Sequence, residues 1–261
     1  MTGRIMAGVT LSHSRTSRHN SSPEEVEVRL TGRLVESVER HGKFLVFSLD
    51  DGHKMVAHLG MSGRFSVADD LEPTVRHTHF VARLDDDTQI RFVDPRTFGF
   101  VAVYDEDELG RSGLARLGPD AWDGPPDVSE LRMALAARTA PIKSLLLDQR
   151  ALAGLGNIYA DEVLYRSGIH PLTPGGELGE GQLQKLLDAM RFVLGTAIDS
   201  GGTTLDDLAY LLPDGRAGEN LGRLAVYGRE GEPCQECGTA IQRVVIRARS
   251  THYCPVCQVK S

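Results

Sequence analysis

The sequence predicts an α+β, multidomain chain, and three observations predict it. Residues 1 to about 104 alternate apolar and polar side chains in short runs broken by turn residues, the period-2 signature of half-buried strands. From about 115 to 210 the apolar spacing changes to that of amphipathic helices. All four cysteines fall in the last 28 residues as two C-x-x-C pairs, within a tail of short strands. A length of 261 residues suits one large domain or two to three small ones.

The elements follow in order. Ile5, Ala7, Val9 and Leu11 alternate almost from the first residue, so the chain opens on a strand. "SRHNSSPEE" is expected to be a polar loop. "RLVESVERHGKFLVFSLDDG" alternates and ends in the turn Asp50-Asp51-Gly52, with "HKMVAHLGMSGRFSV" as its partner strand. "HTHFVARLDDDTQIRFVD" reads as a hairpin around Asp85–Thr88. "VSELRMALAARTAPIKSLLLDQ" has helical spacing with Ser129 as its N-cap. "NIYADEVLYRSG" is a helix closed by Gly168, and Pro171 forbids its continuation. "GEGQLQKLLDAMRFVLGTAIDSGG" is a long amphipathic helix ending at Gly201-Gly202.

Composition excludes little and locates something. The formal net charge is −7, but the charge is segregated. Acids cluster at Asp85–Asp87 and Asp105–Glu108. After Glu236 there are none, while Arg243, Arg247, Arg249 and Lys260 remain. A basic end on an acidic body is compatible with nucleic-acid binding. No run approaches the ~18 apolar residues of a membrane helix. Nor does a charged-then-apolar signal segment open the chain, so the expected compartment is the cytosol, with no membrane partner.

Two stretches carry chemistry. Cys234-x2-Cys237-x16-Cys254-x2-Cys257 fits a zinc-ribbon hairpin, since each C-x-x-C turn brings two sulfurs to one ion and two such turns complete a tetrahedron. Four thiolates leave no open position, so one structural zinc is expected. "AIQRVVIRARSTHY" between the pairs forms the hairpin, its loop carrying Arg247 and Arg249. In "DQRALAGLGNIYADEVLYRSGIHP", Gly154 and Gly156 precede a helix opening near Asn157. Such a turn exposes N–H groups that suit a phosphate, and it is equally an ordinary tight turn.

Taken together, "HGKFLVF", "HLGMSGRF", "DPRTFG", "GLGNIYADEVLYRSGIHP", "GGTTLDD", "VYGREGEPCQECGT" and "RSTHYCPVCQ" stand in one order along nearly the whole chain. That order resembles the formamidopyrimidine-DNA glycosylase family, the bacterial base-excision enzymes for oxidised purines. The resemblance implies an N-terminal two-layer β-sandwich over 1–110, a helix–two-turn–helix DNA-binding domain over 115–210 and a zinc-finger hairpin over 222–261. It implies a monomer acting on damaged double-stranded DNA (8-oxoguanine or formamidopyrimidines). An amine attacks the deoxyribose C1′, the base leaves, and a Schiff base forms. β- and δ-elimination then cut the strand. The lesion must be flipped from the stack for that chemistry.

Residue by residue, the resemblance implies catalytic roles for Lys43, in proton transfer during β-elimination, and Arg249, in δ-elimination and contact with the flipped base or its phosphate. It implies DNA contacts for His77, Arg96, Arg138, Lys143 and Asn157. Met61, Arg96 and Phe98 resemble the wedge that fills the hole left by the flipped nucleotide. Thr97 stands where the family often has a second arginine, which weakens one phosphate contact.

The family's nucleophile is an N-terminal proline followed by a catalytic glutamate, on an opening of the kind Pro-Glu-Leu-Pro-Glu-Val-Glu that leads into a helix. "SPEEVEV" at 22–28 is not that opening, because Pro23 is internal and its nitrogen is an amide. Thr2 would carry only a primary amine, and Gly3 follows it. The expectation is therefore a chain that lacks its true N-terminus, with Met1 standing at a misread valine codon; the upstream codons test this. Two alternatives accompany the repair glycosylase reading: a truncated, non-catalytic paralogue that binds abasic or damaged DNA, and an endonuclease VIII-like glycosylase for oxidised pyrimidines.

Overall fold

The alternation seen in the sequence becomes two four-stranded antiparallel sheets. The computed structural model describes residues 1–205 and 210–259, so Asp206 and Asp207 of "GGTTLDD", and Lys260, lie outside the described residues. The chain divides into two compact units, Met1–Arg116 with Thr203–Glu219, and Leu117–Gly202 with Asn220–Ser261.

In the first unit the strands are β1 (Met6–Leu11), β2 (Val35–His41), β3 (Phe44–Leu49), β4 (Lys54–His58), β5 (Arg64–Asp69), β6 (Thr78–Leu84), β7 (Thr88–Val93) and β8 (Phe100–Tyr104). One sheet runs β2-β3-β4-β8, the other β1-β6-β7-β5. Inward residues of both sheets, including Phe47, Met55, Val101, Phe80 and Phe92, close into one core, which makes the pair a two-layer sandwich. Each such aromatic or large aliphatic side chain contributes about 1.5–3 kcal/mol by leaving water. β8 is buried on both faces: Val101 and Val103 face the sandwich core, while Phe100, Ala102 and Tyr104 form a second cluster with Val56.

Two expectations are corrected here. "HKMVAHLGMSGRFSV" is not one partner strand: β4 pairs with β3, and the chain then turns at Gly60 and crosses to the other sheet as β5. "SRHNSSPEE" is not loop throughout, since Pro23–Leu30 is helix α1. Ser22 caps it, Pro23 occupies a first-turn position without needing a donor, and Glu24 and Glu25 sit at the positive end of the helix dipole. Val26 and Leu30, one turn apart, are buried in the sandwich core. The run before it is anchored too: Asn20 Nδ2 donates to the Val103 carbonyl at 2.7 Å, and the Val103 N–H donates back to Oδ1 at 3.0 Å. α2 (Glu106–Arg111) follows β8 in this unit.

The second unit holds α3 (Val128–Leu135), α4 (Ile142–Leu146), α5 (Asn157–Ser167) and α6 (Glu180–Asp199), around a core of Leu, Ile, Val and Ala. The helical run from Val128 is two helices, not one. α3 ends at Leu135, Ala137 then takes φ +57°, and Pro141 denies the chain a donor just before α4 starts, so the run is interrupted from Ala136 to Pro141. Its cap is Asp127, in a reciprocal box with Glu130, and not Ser129, whose hydroxyl donates to Asp127. Gly168 closes α5 at φ +69°, as the sequence predicts. The tail forms a hairpin of β9 (Gln242–Ile246) and β10 (Arg249–Tyr253). Its turn is Arg247-Ala248, both at positive φ, so Arg249 begins a strand instead of riding the loop. Among the described residues, no helix is long and apolar enough to cross a membrane.

Candidate nucleic-acid interface

In the first unit, two tight turns build a rim. Residues 59–63 and 94–99 interlock so closely that a methyl on Gly60 would lie 2.6 Å from the Gly99 nitrogen. One on Gly99 would lie 2.6 Å from the His58 carbonyl oxygen. Asp94, fully buried, ties the turns: it accepts from the Ser62 hydroxyl at 2.6 Å, from the Gly99 N–H at 2.7 Å and from the Arg96 N–H at 3.3 Å. The side chains carried by this locked backbone point outward. Met61 is 61% exposed and Phe98 49% exposed, and Arg96 is exposed beside them. Two large apolar groups left in water on a rigid support are not core packing; they suit insertion between bases.

Lys43, in the β2–β3 turn, and His77 border the same rim. Phe44 packs on the His58 ring at 5.0 Å, and His58 Nδ1 accepts from the Gly60 N–H at 3.0 Å. Burial, with Lys43 and Arg18 nearby, pushes His58 below the ordinary histidine value, which keeps Nδ1 free to accept. The His77 carbonyl accepts from the Asp94 N–H at 3.0 Å. Arg18 braces the rim from within. Its guanidinium donates to the Gly99 carbonyl at 2.6 Å and the Phe98 carbonyl at 2.8 Å, and it lies 4.9 Å over the Phe100 ring. Sequence reasoning missed Arg18, Asp94 and Ser62, because each acts through a partner far along the chain, and it missed His58, whose turn contact to Gly60 carries no motif of its own.

In the second unit, Arg138 and Arg249 are exposed, and Asn157 opens α5 half-buried. Lys143 is a correction. Its side chain is fully buried, its ammonium pairs with Asp161 and donates to the Asn157 carbonyl at 3.0 Å, and it presents nothing to a phosphate. Asn157 Nδ2 donates to the Ser250 carbonyl at 3.1 Å, which joins the helix N-terminus to the hairpin.

Backbone strain marks the candidate residues in both units. Among the described residues, the non-glycine positions at positive φ are His77, Asp87, Thr97, Ala137, Arg247 and Ala248. Thr97 follows Arg96, Ala137 precedes Arg138, Ala248 precedes Arg249, and His77 is itself a candidate. Each such residue costs of order 1–3 kcal/mol, and such costs concentrate where a side chain must be aimed.

Cys234, Cys237, Cys254 and Cys257 place their sulfurs within 4.8 Å of one another, with Cys234–Cys257 at 3.8 Å and Cys237–Cys254 at 3.5 Å. A tetrahedral zinc with bonds of about 2.3 Å needs sulfurs roughly 3.8 Å apart, so the four fit one closed zinc site. The Tyr165 hydroxyl lies 3.2 Å from Cys234 Sγ. Burial opposes ionisation of Cys234, yet that hydroxyl and the amides of Cys237 and Glu236 bring its thiol down to about 6. Gln258, fully buried, links the site to the end of α5: it accepts from the Cys254 N–H and donates to the Ile169 carbonyl, both at 2.9 Å.

Comparison with known proteins bears on this arrangement. Residues 1–101 match the formamidopyrimidine-DNA glycosylase N-terminal domain, 117–208 its H2TH domain, and 231–259 a zinc finger found in FPG and IleRS. The chain is 40% identical to the formamidopyrimidine-DNA glycosylase of Geobacillus kaustophilus over 98% of its own length and 93% of the relative's. For the Bacillus subtilis protein of that name, identity is 36% over 99% and 93%. The MutM (Fpg) structure from Thermus thermophilus superposes with a TM-score of 0.88 at 39% identity, covering 100% of this chain and 94% of that one. A complex of Lactococcus lactis Fpg with DNA containing an abasic site gives 0.89 at 32% identity, with the same coverage.

Proposed function

The chain belongs to the formamidopyrimidine-DNA glycosylase family, and from that premise we infer that it is a base-excision repair DNA glycosylase with AP lyase activity. It removes oxidised purines from duplex DNA. The observation that carries this reading to particular residues is the rim of Met61, Arg96 and Phe98. Exposed apolar and cationic side chains stand there on a backbone held by a buried carboxylate.

In this reading Met61 and Phe98 enter the stack as the damaged nucleotide leaves it, and Arg96 meets the strand beside them. Asn157 and Arg138 hold backbone phosphates, and Arg249 presents its guanidinium to the flipped base or its phosphate. Lys43 moves the proton during β-elimination. The attacking amine is not that of Pro23, whose nitrogen is bonded to Ser22 and lies in the first turn of α1. One zinc on the four cysteines supplies structure and no open coordination position. The domain assignment 1–110, 115–210 and 222–261 is supported by the end of the sandwich strands at Tyr104, by the boundary between compact units at Arg116/Leu117 and by the hairpin's own small core. A soluble repair enzyme of this type works in the bacterial cytoplasm.

The test is base release and strand nicking on a duplex carrying 8-oxoguanine opposite cytosine, with borohydride present to capture the imine. Release, nicking and a covalent adduct are expected from protein carrying the residues encoded upstream of Met1, since none of the residues assigned above supplies the attacking amine. Tight binding without release or adduct favours the non-catalytic paralogue, and preference for an oxidised pyrimidine favours the endonuclease VIII-like branch.

A further inference from the structure

Lys143 and Asp161 have no place in the chemistry above, yet both are among the most deeply buried side chains in the protein. Asp161 is 1% exposed and Lys143 not at all. A buried ion pair is poor evidence of added stability, because desolvation consumes most of its attraction. Its retention calls for another reason, and the partners supply one. Besides Lys143, Asp161 accepts from the His252 N–H at 3.0 Å, and its Oδ2 lies 3.4 Å from His252 Nδ1. Lys143 also donates to the carbonyl of Asn157. Asn157 in turn donates to the carbonyl of Ser250.

These contacts zip two elements together. Asn157 and Asp161 lie one turn apart on α5, a rise of about 6 Å. Ser250 and His252 lie two residues apart on β10, a rise of about 6.7 Å. The spacings match closely enough for the helix to supply a donor to one strand residue and an acceptor to the next but one. Among the described residues β10 is paired on one side only, with β9, and α5 covers its open edge. Arg249 is the residue before Ser250, at the end of the strand that this zipper fixes.

We propose that Asp161, neutralised by Lys143, is a positioning residue that locks β10 onto α5 and thereby sets Asn157 and Arg249 in one fixed relation for a single stretch of DNA. The proposal rests on the reading of Asn157 and Arg249 as DNA contacts. Asp161 is the centre of the device because its two oxygens bind both the cation from α4 and the amide of the hairpin. Lys143 acts by holding that carboxylate and the first carbonyl of α5.

The test compares Asp161→Asn, the apolar pair Lys143→Met/Asp161→Leu, Asn157→Ala, and Asn157→Ala combined with Asp161→Asn, all zinc-loaded. Affinity for a duplex with a tetrahydrofuran abasic analogue is measured across a salt series, beside melting temperature, zinc content and hydrogen exchange at the His252 amide. The apolar pair is expected to keep wild-type melting and one zinc, yet to bind at least tenfold more weakly, with a salt slope no shallower than that of an Arg249→Ala control and the His252 amide deprotected. In the Asp161→Asn background, Asn157→Ala should add less than a twofold loss. Wild-type affinity in the apolar pair beside a weakened Asn157→Ala overturns the lock alone. A salt slope shallower in the apolar pair than in an Arg249→Ala control makes Lys143 a phosphate ligand and also overturns it. Wild-type affinity in Asn157→Ala overturns the interface reading and the proposal with it.

Discussion

Met61 and Phe98 can be separated from the fold, because their side chains already stand in water. Replacing either by alanine should leave the melting temperature within about 2 °C, since surface truncations fall within about 0.5 kcal/mol. Excision from a duplex should nonetheless fall by tenfold or more, with less loss on a single-stranded or mismatched lesion that needs little unstacking. Equal losses on both substrates would place these residues outside the wedge. His58 gives a pH test. Its folded value lies below the ordinary histidine value of about 6.5, so below that value the unfolded chain binds the extra proton more readily. Stability is therefore fully present above it and is lost as pH falls through it toward the depressed folded value. Melting curves from pH 7.5 to 5 should show the first unit weakening, and His58→Gln should flatten that slope. Part of the slope will remain, because burial lowers His19 and His79 as well. The cysteines were legible as a zinc site because the signal is local. For Lys143 the family resemblance implies a DNA contact, and motif position does not show the acid 18 positions away that claims it. The positive φ values beside Arg96, Arg138 and Arg249 leave no glycine or asparagine signature in the sequence.

At the scale of elements, most strands, the long helices and the hairpin could be read from periodicity, and Gly168 marked one helix end, while other breaks and caps could not be read. Alternation continued across the Gly60 turn, so two strands in different sheets looked like one. Helical spacing likewise ran on past Ala137, where the backbone turns to positive φ before Pro141. α1 was hidden among serines and glutamates that suit a loop as well as a helix start. The zinc hairpin is the element most dependent on something outside the chain. Its own core is Val226, Ile241 and the cysteines, too little to order two five-residue strands. Structural zinc contributes on the order of 10 kcal/mol at such sites. Chelation, or Cys237→Ser, should collapse the β9–β10 amide protection and abolish DNA binding while the helical circular-dichroism signal persists. A hairpin that stays protected in chelator would show that packing alone suffices.

For the whole molecule, the two units have separate cores, and a defect should stay within its own. Phe92 is fully buried in the sandwich, and its ring edge meets the space above Gly63 and Gly99. Phe92→Ala should destabilise the first unit by about 3–5 kcal/mol and loosen the rim turns resting on it. The zinc content should not change. Loss of zinc on this substitution would mean that the units unfold as one. The architecture was legible because motif order along the chain is a global property, which local errors in strand count do not disturb. The matching rise of α5 and β10 has a further consequence for how such a chain can drift over time. A one-residue insertion or deletion between Arg249 and Cys254 would turn every side chain to the opposite face and shift the thiolates together with the arginine. Length changes in this region can therefore survive only in the Arg247-Ala248 turn or outside the cysteine pairs, so alignments of related chains should show gaps there and none within β10.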